Sequence, residues 1–390
     1  MKERILFIDD DPTILSGLRR LLHHLRDEWD MSFASSGEEA LGLIASKTYD
    51  VIVTDMRMPN VNGAQLLKEV RDKCPCSVRI ILSGEADLDS VLESVVSAHQ
   101  YLAKPTSPDI LKPVILRATQ LRSLVGNKDI QAFVSQIDAL PSYSKNISLL
   151  RRELQKDTPS LEMLQTIIAQ DISLAAKVLQ ITNSAFFGEK QEVYCPYKAS
   201  AMLGVDLLRM LIERQEIIKE GPDDGMLGPI CLNQLNQHSV MVATLARRVA
   251  AIEGVSDAEI DTCLATGLLH DIGKIILALY DPEKYERIIQ KTEGIDNVDL
   301  QDEERACFQT THAEVGAFLL GLWGLPQAVI EAAYSHFALK GDQPTGFSIV
   351  TAVQIANLIV DTDLSELVFK LDNEAEFVNY KKKIDALITN

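Results

Sequence analysis

Short apolar runs alternate with amphipathic stretches along the first 122 residues. Five apolar runs predict strands: ILFI (5–8), MSFA (31–34), VIVT (51–54), RIIL (79–82) and QYLA (100–103). Segments between them, such as TILSGLRRLLHHL and NGAQLLKEVRDK, place apolar residues three and four positions apart, as amphipathic helices do. This alternation predicts a doubly wound α/β domain with a five-stranded parallel sheet over residues 1–122.

The pattern changes to a helical period alone from residue 129 onward. LEMLQTIIAQDISLAAKVLQITNSAFFG, HSVMVATLARRVAAIEG, EIDTCLATGLLHDIGKIILALY and HAEVGAFLLGLWGLP all show it, with Asp, Ser or Thr at their starts and Gly or Pro at their ends. We therefore predict an all-α domain over residues 129–390.

The join between the two domains is predicted to be short. The last helix of the first domain should run from about Pro108 to Val125, starting near Pro113 or bending there because proline fits poorly inside a helix. A linker over residues 123–128 follows, without a Gly/Ser-rich or Pro-rich tract. We expect a fairly stiff connection.

The length, charge and cysteine content of the chain exclude some classes of function. The 390 residues leave room for two or three domains, and 46% hydrophobic content is enough for full cores. A net charge of −18 argues against broad contact with nucleic acid phosphates. Six scattered cysteines include one close pair, Cys74 and Cys76, which is too few for a four-ligand zinc site.

The chain is expected to be cytoplasmic. Its start, MKERILFIDDD, has an apolar run of only four residues before three aspartates, which is not a signal peptide. No unbroken apolar run reaches the roughly 18 residues of a membrane span.

Side chains of complementary chemistry follow the predicted strand ends: Asp9 and Asp10, Asp55, Ser83, and Lys104. The carboxyl ends of strands in an open α/β sheet share one crevice, so these groups should lie together. Three carboxylates require a cation among them, and their oxygen atoms favour Mg²⁺. Asp55 could then be a nucleophile that forms an acyl phosphate, with Lys104 and Ser83 at the phosphoryl oxygens. Helix caps and turns also favour Asp and Ser, but five complementary residues at matching positions favour a site.

The motifs FIDDD, VTDMRMPNVNG, ILSGEAD and YLAKP, spread over about residues 3–122, resemble the CheY-like response-regulator receiver domain. The resemblance implies that Asp55 accepts phosphate and that Mg²⁺ is bound by Asp9, Asp10 and Asp55. It also implies a switch made of Ser83, Tyr101 and Lys104, and a cis bond between Lys104 and Pro105. Receivers generally signal through the face that carries the fourth and fifth helices and the fifth strand, so this face should lie near the helical domain or in a dimer.

Four histidines of the helical region are the next candidates: His238, His270, His312 and His336. Imidazoles on separate helices can converge on a metal in a bundle. Their spacing does not show convergence, and for a lone histidine a hydrogen-bonded structural role is the more common one.

The segments LQITNSAFFG, HSVMVATLARRVA, LLHDIGK and THAEVGAFLLGLWGLP resemble the HDOD family of HD-related output domains, over about residues 129–360. This family is similar to the HD and HD-GYP phosphohydrolases. The metal-ligand order of those enzymes falls on His238, the doublet His270-Asp271, His312 and His336, with Lys274 following the doublet.

Two positions depart from the HD-GYP pattern. Phe337 stands where a further histidine is wanted, and Asn357 stands where an aspartate is wanted. A phenyl ring cannot bind metal, and a carboxamide is a weaker ligand than a carboxylate. Asp361, one turn beyond Asn357, could substitute only from about 6 Å along the axis. We therefore expect a vestigial HD site that is empty or binds metal weakly.

Two functions follow from these motifs. One is a phosphorelay response regulator in which Asp55 phosphorylation by a sensor histidine kinase or other phosphodonor controls a non-catalytic HDOD domain, which acts through a protein partner or altered self-association, such as a homodimer. The alternative is a receiver-gated metal-dependent phosphohydrolase or phosphodiesterase. Direct nucleic acid binding is disfavoured by the acidic balance.

Overall fold

The computed structural model describes residues 2–84, 97–104, 108–184, 192–214, 217–292, 297–337 and 347–361. Five strands form one parallel sheet in the order β2-β1-β3-β4-β5: β1 Glu3–Ile8, β2 Trp29–Ala34, β3 Val51–Asp55, β4 Val78–Ser83 and β5 Gln100–Ala103. All five predicted strands and the doubly wound topology are confirmed.

Four described helices accompany the sheet: α1 Pro12–Leu21, α2 Gly37–Ser46, α3 Gly63–Lys73 and α4 Pro108–Arg122, with a 3₁₀ turn at His23–Leu25. Side chains of Asp11, Ser36 and Asn62 cap α1, α2 and α3. Helix α4 begins at Pro108, as predicted, and ends three residues before the predicted Val125. It runs through Pro113, so the alternative of a start near that proline is wrong.

The rest of the described chain is mostly helical, as predicted. Its helices are α5 Lys128–Ser135, α6 Ser144–Leu154, α7 Leu161–Ile168, α8 Ile172–Thr182, α9 Pro196–Glu213, α10 Leu232–Glu253, α11 Asp257–Leu269, α12 Ile272–Tyr280, α13 Pro282–Thr292, α14 Asn297–Phe308, α15 His312–Leu322, α16 Gln327–Ser335 and α17 Ile349–Asp361. Two-residue strands add small pairings that the sequence did not predict: β6 Pro141–Ser142 with β7 Lys219–Glu220, and β8 Met226–Leu227 with β9 Ile230–Cys231. Helix α5 begins at the end of the predicted linker, where Asn127 caps it.

Alternating residues of the sheet supply two separate cores. Leu6, Ile8 and Ile52 pack on one face with α2 and α3. Ile5, Phe7 and their neighbours on the other face belong to a core that continues without interruption into the helical domain. The two domains therefore share buried apolar surface.

The face that carries β5 and α4 contacts the helical domain directly. The side-chain amide of Gln100 donates to the carbonyl of Gly321 at 3.1 Å, and Arg117 donates to the carbonyl of Leu325 at 3.3 Å. Helix α4 packs against α15. The prediction that this face lies near the helical domain is confirmed.

Buried polar side chains form a second link between the domains. Arg79 on β4 and His99 before β5 both donate to the carbonyl of Ser135, each at 2.9 Å. His99 also accepts from the backbone N–H of Arg79, and burial lowers the pKa of its imidazole well below the usual value. His99 is therefore a neutral structural group, a role that no sequence motif indicated.

One stretch of the described chain, Asp257–Tyr280, is long and apolar enough to cross a membrane by length and composition alone. Most of it is buried within the protein, as is usual for a core helix. The stretch is also divided by a break between α11 and α12, at His270 and Asp271.

Helices α12 and α15 approach so closely that only glycine fits between them. A Cβ on Gly273 would lie 1.8 Å from the carbonyl oxygen of His312 and 3.0 Å from the backbone nitrogen of Gly316. Both of these atoms belong to backbone, so no side chain can move aside. Gly273 therefore sets the distance between the His-Asp doublet and His312.

We predict that Gly273→Ala lowers the free energy of unfolding by about 3 kcal/mol or more, because the added methyl group overpacks two helix backbones. Gly42→Ala is the matched control, since Gly42 lies in the exposed interior of α2 with no atom near its Cβ position. That control should gain about 0.5–1 kcal/mol from helix propensity. Urea denaturation compares the two, and equal midpoints for both variants would contradict the packing argument.

Candidate functional site

The first candidate site lies at the carboxyl ends of β1 and β3, which are adjacent in the sheet. Asp9 and Asp55 are both buried there. The Lys104 ammonium, just past β5, contacts the carboxylate of Asp9 at 2.5 Å and that of Asp55. The structure thus brings together three of the residues that the sequence placed in this pocket.

The three consecutive aspartates have different local roles. Asp9 points inward and accepts from the backbone N–H of Asp11 at 3.0 Å. Asp11 caps α1 by accepting from the N–H of Thr13 at 2.7 Å. Asp10 between them is exposed. Of the acidic residues after β1, Asp11 therefore caps a helix, whereas Asp9 lies in the pocket.

Two carboxylates share one ammonium in this pocket. Burial, together with the nearby Asp9 charge, raises the pKa of Asp55 even though Lys104 opposes the shift. Burial alone would lower the pKa of Lys104, but its contacts with Asp55 and Asp9 outweigh burial and raise it. The Asp55 carboxylate also accepts from the backbone N–H of Arg57 at 2.9 Å. A carboxylate held this way can act as a nucleophile once its negative charge is balanced.

The predicted switch residues are only partly described. Ser83 is the last residue of β4 and pairs with Ala103 of β5, but its side chain lies outside the described residues. Tyr101 is buried on β5, opposite Ile81. The expected cis bond to Pro105 also lies outside the described residues.

The second candidate site is a buried polar centre in the helical domain, where the four histidines do converge. His238 lies on α10, His270 and Asp271 lie in the break between α11 and α12, His312 begins α15, and His336 follows α16. His270, Asp271, His312 and His336 are almost fully buried.

Hydrogen bonds at the outer nitrogens orient three of the imidazoles. His270 and His336 each end a helix, and each places Nδ1 on the carbonyl three residues earlier, Gly267 at 2.7 Å and Ala333 at 2.9 Å. His312 Nδ1 lies 2.7 Å from a carboxylate oxygen of Glu304. Carbonyls and carboxylates only accept, so each Nδ1 carries the proton. In their neutral form all three rings therefore turn an Nε2 lone pair toward the centre.

Asp271 divides this centre into two clusters. Its Oδ2 faces Lys274 at 2.6 Å, His270 at 3.4 Å and His238 at 3.5 Å. Its Oδ1 faces His336 Nε2 at 3.3 Å and His312 Nε2 at 3.6 Å. We call His238, His270 and Asn357 the outer cluster, and Asp271, His312 and His336 the inner cluster.

The two clusters differ in how well their polar atoms are satisfied. His238 Nε2 lies 3.3 Å from His270 Nε2 and 3.1 Å from Asn357 Oδ1, so one proton on His238 can serve both acceptors. In the inner cluster, Asp271 Oδ1, His312 Nε2 and His336 Nε2 are buried without a hydrogen-bond partner. Two sets of side chains have donor types and distances that fit a metal ion: His238 and His270 with Asp271, and the inner cluster. Only the inner cluster has all three donor atoms unsatisfied.

Burial and charge fix the ionisation of this centre. Burial alone would raise the pKa of Asp271, but His270 and the Lys274 ammonium outweigh it and hold the pKa well below its usual value. Burial lowers the pKa of His336 to about 3. Asp271 is therefore a carboxylate and His336 a neutral ligand near pH 7.

The departures from the HD-GYP pattern have visible consequences. The Phe337 ring packs at 3.8 Å from the His336 ring and 5.0 Å from the His312 ring, measured between centroids. The Phe337 ring thus presents an apolar surface at the position where the HD-GYP pattern has a metal-binding histidine. Asp361 does not replace the missing aspartate, because it lies 3.4 Å from His238 Nδ1, on the side of the ring away from His270.

Sequence reasoning missed one residue of this centre, Glu304, whose carboxylate accepts from His312. It lies in the charged run DEER, which is typical of a solvated helix face, yet Glu304 is fully buried. Nothing in the spacing to His312, eight residues on, indicates the pairing.

We predict that Lys274→Met lowers the free energy of unfolding by about 3–5 kcal/mol at pH 7, because it leaves the Asp271 carboxylate buried without its cation. Lys291→Met is the control, since Lys291 makes an equally short bond to Glu303 at the surface and should cost about 0–1 kcal/mol. Urea denaturation gives both values.

The same pair of proteins tests the pH dependence. The folded pKa of Asp271 is depressed in the wild type, so its contribution is present above the unfolded value of about 3.9 and is lost as pH falls through the folded pKa. Without Lys274, the carboxylate takes up a proton at higher pH, and the deficit of Lys274→Met should shrink as pH is lowered. A deficit that stays constant from pH 7 to 4 would contradict this assignment.

Comparison with known proteins agrees with both halves of the chain. Residues 5–115 match the response regulator receiver domain, and residues 140–339 match the HDOD domain. Two regulators are similar to part of this chain. The hydrogenase transcriptional regulatory protein HoxA of Cupriavidus necator is 35% identical over 125 residues, 32% of this chain and 25% of HoxA. The alkaline phosphatase synthesis transcriptional regulatory protein PhoP of Bacillus subtilis is 32% identical over 109 residues, 28% of this chain and 45% of PhoP. This chain thus spans less than half of either regulator.

Solved structures also match parts of this chain. The MmoQ response regulator of Methylococcus capsulatus is 24% identical with a TM-score of 0.48, covering 57% of this chain and 86% of that one. The response regulator TrrA of Thermotoga maritima, solved with Mg²⁺ and BeF, is 30% identical with a TM-score of 0.27, covering 30% of this chain and 97% of that one. Since the HDOD match alone covers half of the sequence, the chain belongs to the HDOD family, with a response regulator receiver domain before its HDOD domain.

Proposed function

We propose that the receiver accepts phosphate on Asp55 from a sensor histidine kinase or another phosphodonor, and that this controls the HDOD domain. An Asp55 carboxylate oxygen would attack the phosphorus of the donor, the bond to the donor's nitrogen or oxygen would break, and an acyl phosphate would form. Asp9, Asp10 and Asp55 would supply the oxygen ligands for the Mg²⁺ that this step needs. The Lys104 ammonium, which touches both Asp9 and Asp55, is in place to hold the phosphoryl group.

The observation that carries this proposal is the direct contact between the signalling face and the HDOD domain. β5 holds the buried Tyr101, and its neighbour Gln100 donates to Gly321 at the end of α15. A rearrangement of the pocket that moves β5 therefore must change a contact with the helical domain.

We further propose that the HDOD domain acts through protein contacts and not by catalysis. His270, Asp271 and His312 are at most 1% exposed, so a substrate phosphate cannot reach them in this arrangement. Phe337 covers His312 and His336, and Asn357 is bonded to His238. We also propose that the protein is cytoplasmic. Its partner would be another protein or a second copy of this chain, and not nucleic acid, which is consistent with the net charge of −18.

A metal-dependent phosphohydrolase is the second candidate, favoured by the convergence of four imidazoles on Asp271. A bound metal in such enzymes activates water and holds phosphate. Turnover of a nitrophenyl phosphodiester by the metal-loaded protein, lost in Asp271→Ala, would select this function over the first.

We predict that acetyl phosphate with Mg²⁺ labels the protein at Asp55 and that Asp55→Asn abolishes labelling, as read by intact mass. Asp72→Asn is the control, because Asp72 is an exposed aspartate of the same domain and its loss should leave labelling unchanged. Undiminished labelling of Asp55→Asn would show that another group accepts the phosphate.

Beryllofluoride should change hydrogen exchange on both sides of the domain contact, because the mimic acts at Asp55 and β5 leads from the pocket to Gly321. We expect altered protection in residues 97–104 and 108–135 and in the end of α15. Asp55→Asn should show no change with the same reagent. Changes confined to the pocket in the wild-type protein would rule out the proposed route.

A further inference from the structure

A cluster of charged side chains joins the two domains, and we call it the Asp138 cluster. Its receiver members are Arg71 in the last turn of α3 and Arg79 near the start of β4. Asp138 follows α5, and its carboxylate accepts from Arg71 Nη1 at 2.5 Å and faces Arg79 Nη2 at 3.7 Å. The backbone carbonyl of Asp138 accepts from the ammonium of Lys177 on α8. Asp138 thus connects α3 and β4 of the receiver with α8 of the HDOD domain.

Arg79 is a receiver side chain whose charge is balanced by the other domain. It is fully buried, and burial lowers its pKa only to about 10, so the guanidinium is charged near pH 7. Nε donates to the carbonyl of Ser97 and Nη1 to that of Ser135, each at 2.9 Å, but carbonyls carry no net charge. Within the described residues, Asp138 is the only carboxylate that pairs with Arg79. Without Asp138, the docked arrangement would bury an uncompensated charge, whereas separated domains would leave that charge in water.

Lys177 extends the cluster toward β5. Its ammonium is buried, donates to the side-chain oxygen of Gln180 at 2.7 Å and lies 4.7 Å from the centre of the Trp323 ring. A cation over an aromatic ring is held more strongly where water is excluded. Gln180 in turn donates to the carbonyl of His99, just before β5, at 3.4 Å. Strands β4 and β5 therefore both begin at contacts with the HDOD domain.

Apolar packing closes the contact beside the cluster. Leu121 of α4 lies against Gly321 of α15, so closely that a Cβ on Gly321 would be 1.9 Å from Leu121 Cδ1. The buried ring of Trp323 borders the same small cavity as residues 98–102 of the receiver. The core that starts under the sheet continues into the HDOD domain. Separation of the domains would expose this apolar surface to water.

The magnitudes of these contributions decide between separation of the domains and movement within a closed contact. Coupling between two sites usually changes an equilibrium by about 5–150-fold. Exposure of a single large apolar side chain already changes one by about 10–150-fold. Separation would expose Leu121 and Trp323 together, along with part of the shared core. A phosphoryl group on Asp55 is therefore too weak a signal to part the domains, although it can shift β5 against α15.

We propose that the receiver and the HDOD domain stay docked when Asp55 is phosphorylated, and that Asp138 is the counter-ion that keeps the contact closed. The face formed by β5 and α4 is then covered in both states, so it does not pair with a second copy of this chain. A partner that reads the signal binds a surface of the HDOD domain instead. Docking in the phosphorylated state presupposes the proposed phosphorylation of Asp55, whereas the role of Asp138 does not.

Sedimentation velocity of the full chain, with and without beryllofluoride, tests whether the domains stay docked. We expect the same sedimentation coefficient in both samples, because neither the shape nor the mass changes. Hydrogen exchange should show residues 136–142 equally protected in both. A fall in the coefficient would show that the domains separate, and a rise would show that two copies pair. Either result overturns the proposal, as does a loss of protection in residues 136–142.

We expect Asp138→Asn to open the contact without any phosphate mimic. Exchange of residues 136–142 and of the end of α15 should rise by about 10-fold or more, because the docked state now buries the Arg79 charge without a counter-ion. Asp157→Asn is the control, since Asp157 is an exposed aspartate of the same domain, and it should exchange as the wild type does. Adding Arg79→Met to Asp138→Asn should lower the exchange rates again, because the buried charge is removed as well.

Equal exchange in Asp138→Asn and Asp157→Asn would overturn the role of Asp138, and so would a failure of Arg79→Met to lower the rates. If Asp138→Asn does not fold, Arg71→Gln, which removes the shortest bond to the Asp138 carboxylate, should raise the same rates by a smaller factor. Acetyl phosphate labelling is measured on every sample. Loss of labelling shows that the receiver assignment fails, whereas a labelled protein whose domains separate or pair shows that the docked arrangement fails.

Discussion

Helix α15 is buried on every side, and much of the structure is arranged around that constraint. All eleven residues from His312 to Leu322 are buried. A helix that is apolar around its whole circumference needs a partner on each face. Helices α12 and α16 cover it from the HDOD domain, and α4 of the receiver covers another face. The HDOD core is therefore completed by the receiver, which explains why one apolar core runs through both domains.

The same burial creates the polar centre. His312 begins α15, so its imidazole is buried with the helix and must find polar partners inside the protein. Asp271 reaches it because Gly273 lets α12 approach to backbone contact, and the carboxylate is tolerated there because Lys274 neutralises it. Close packing and charge pairing are thus two parts of one arrangement. Without the Lys274 ammonium, the Asp271 carboxylate would be buried without compensation.

The sequence predicted the receiver more completely than the polar centre, and the reason is physical. Strand ends in a parallel sheet must share one edge, so Asp9, Asp55 and Lys104 could be placed together from the order of apolar runs alone. Helices impose no such rule, and the convergence of His238, His270, His312 and His336 depends on packing angles that no spacing encodes. Glu304 could not be found because burial of one carboxylate in a charged run leaves no local signal. The contact of Arg79 and His99 with the helical domain could not be predicted for a similar reason. Their acceptor, the carbonyl of Ser135, is a backbone atom that any residue provides.

The position of α15 also bears on how the two sites can influence each other. One end of this helix, His312, lies in the polar centre, and Gly321 near the other end accepts from Gln100 of the receiver. Eleven helical residues span about 16 Å as one rigid element. Packed elements transmit displacement because they move as units between discrete arrangements. A shift of β5 that breaks the Gln100 contact therefore acts on a helix whose far end is fixed by Glu304 and by the donors around Asp271. If the contacts at His312 are strong, the shift of β5 is absorbed at the contact between the domains. If they are weak, α15 moves with β5.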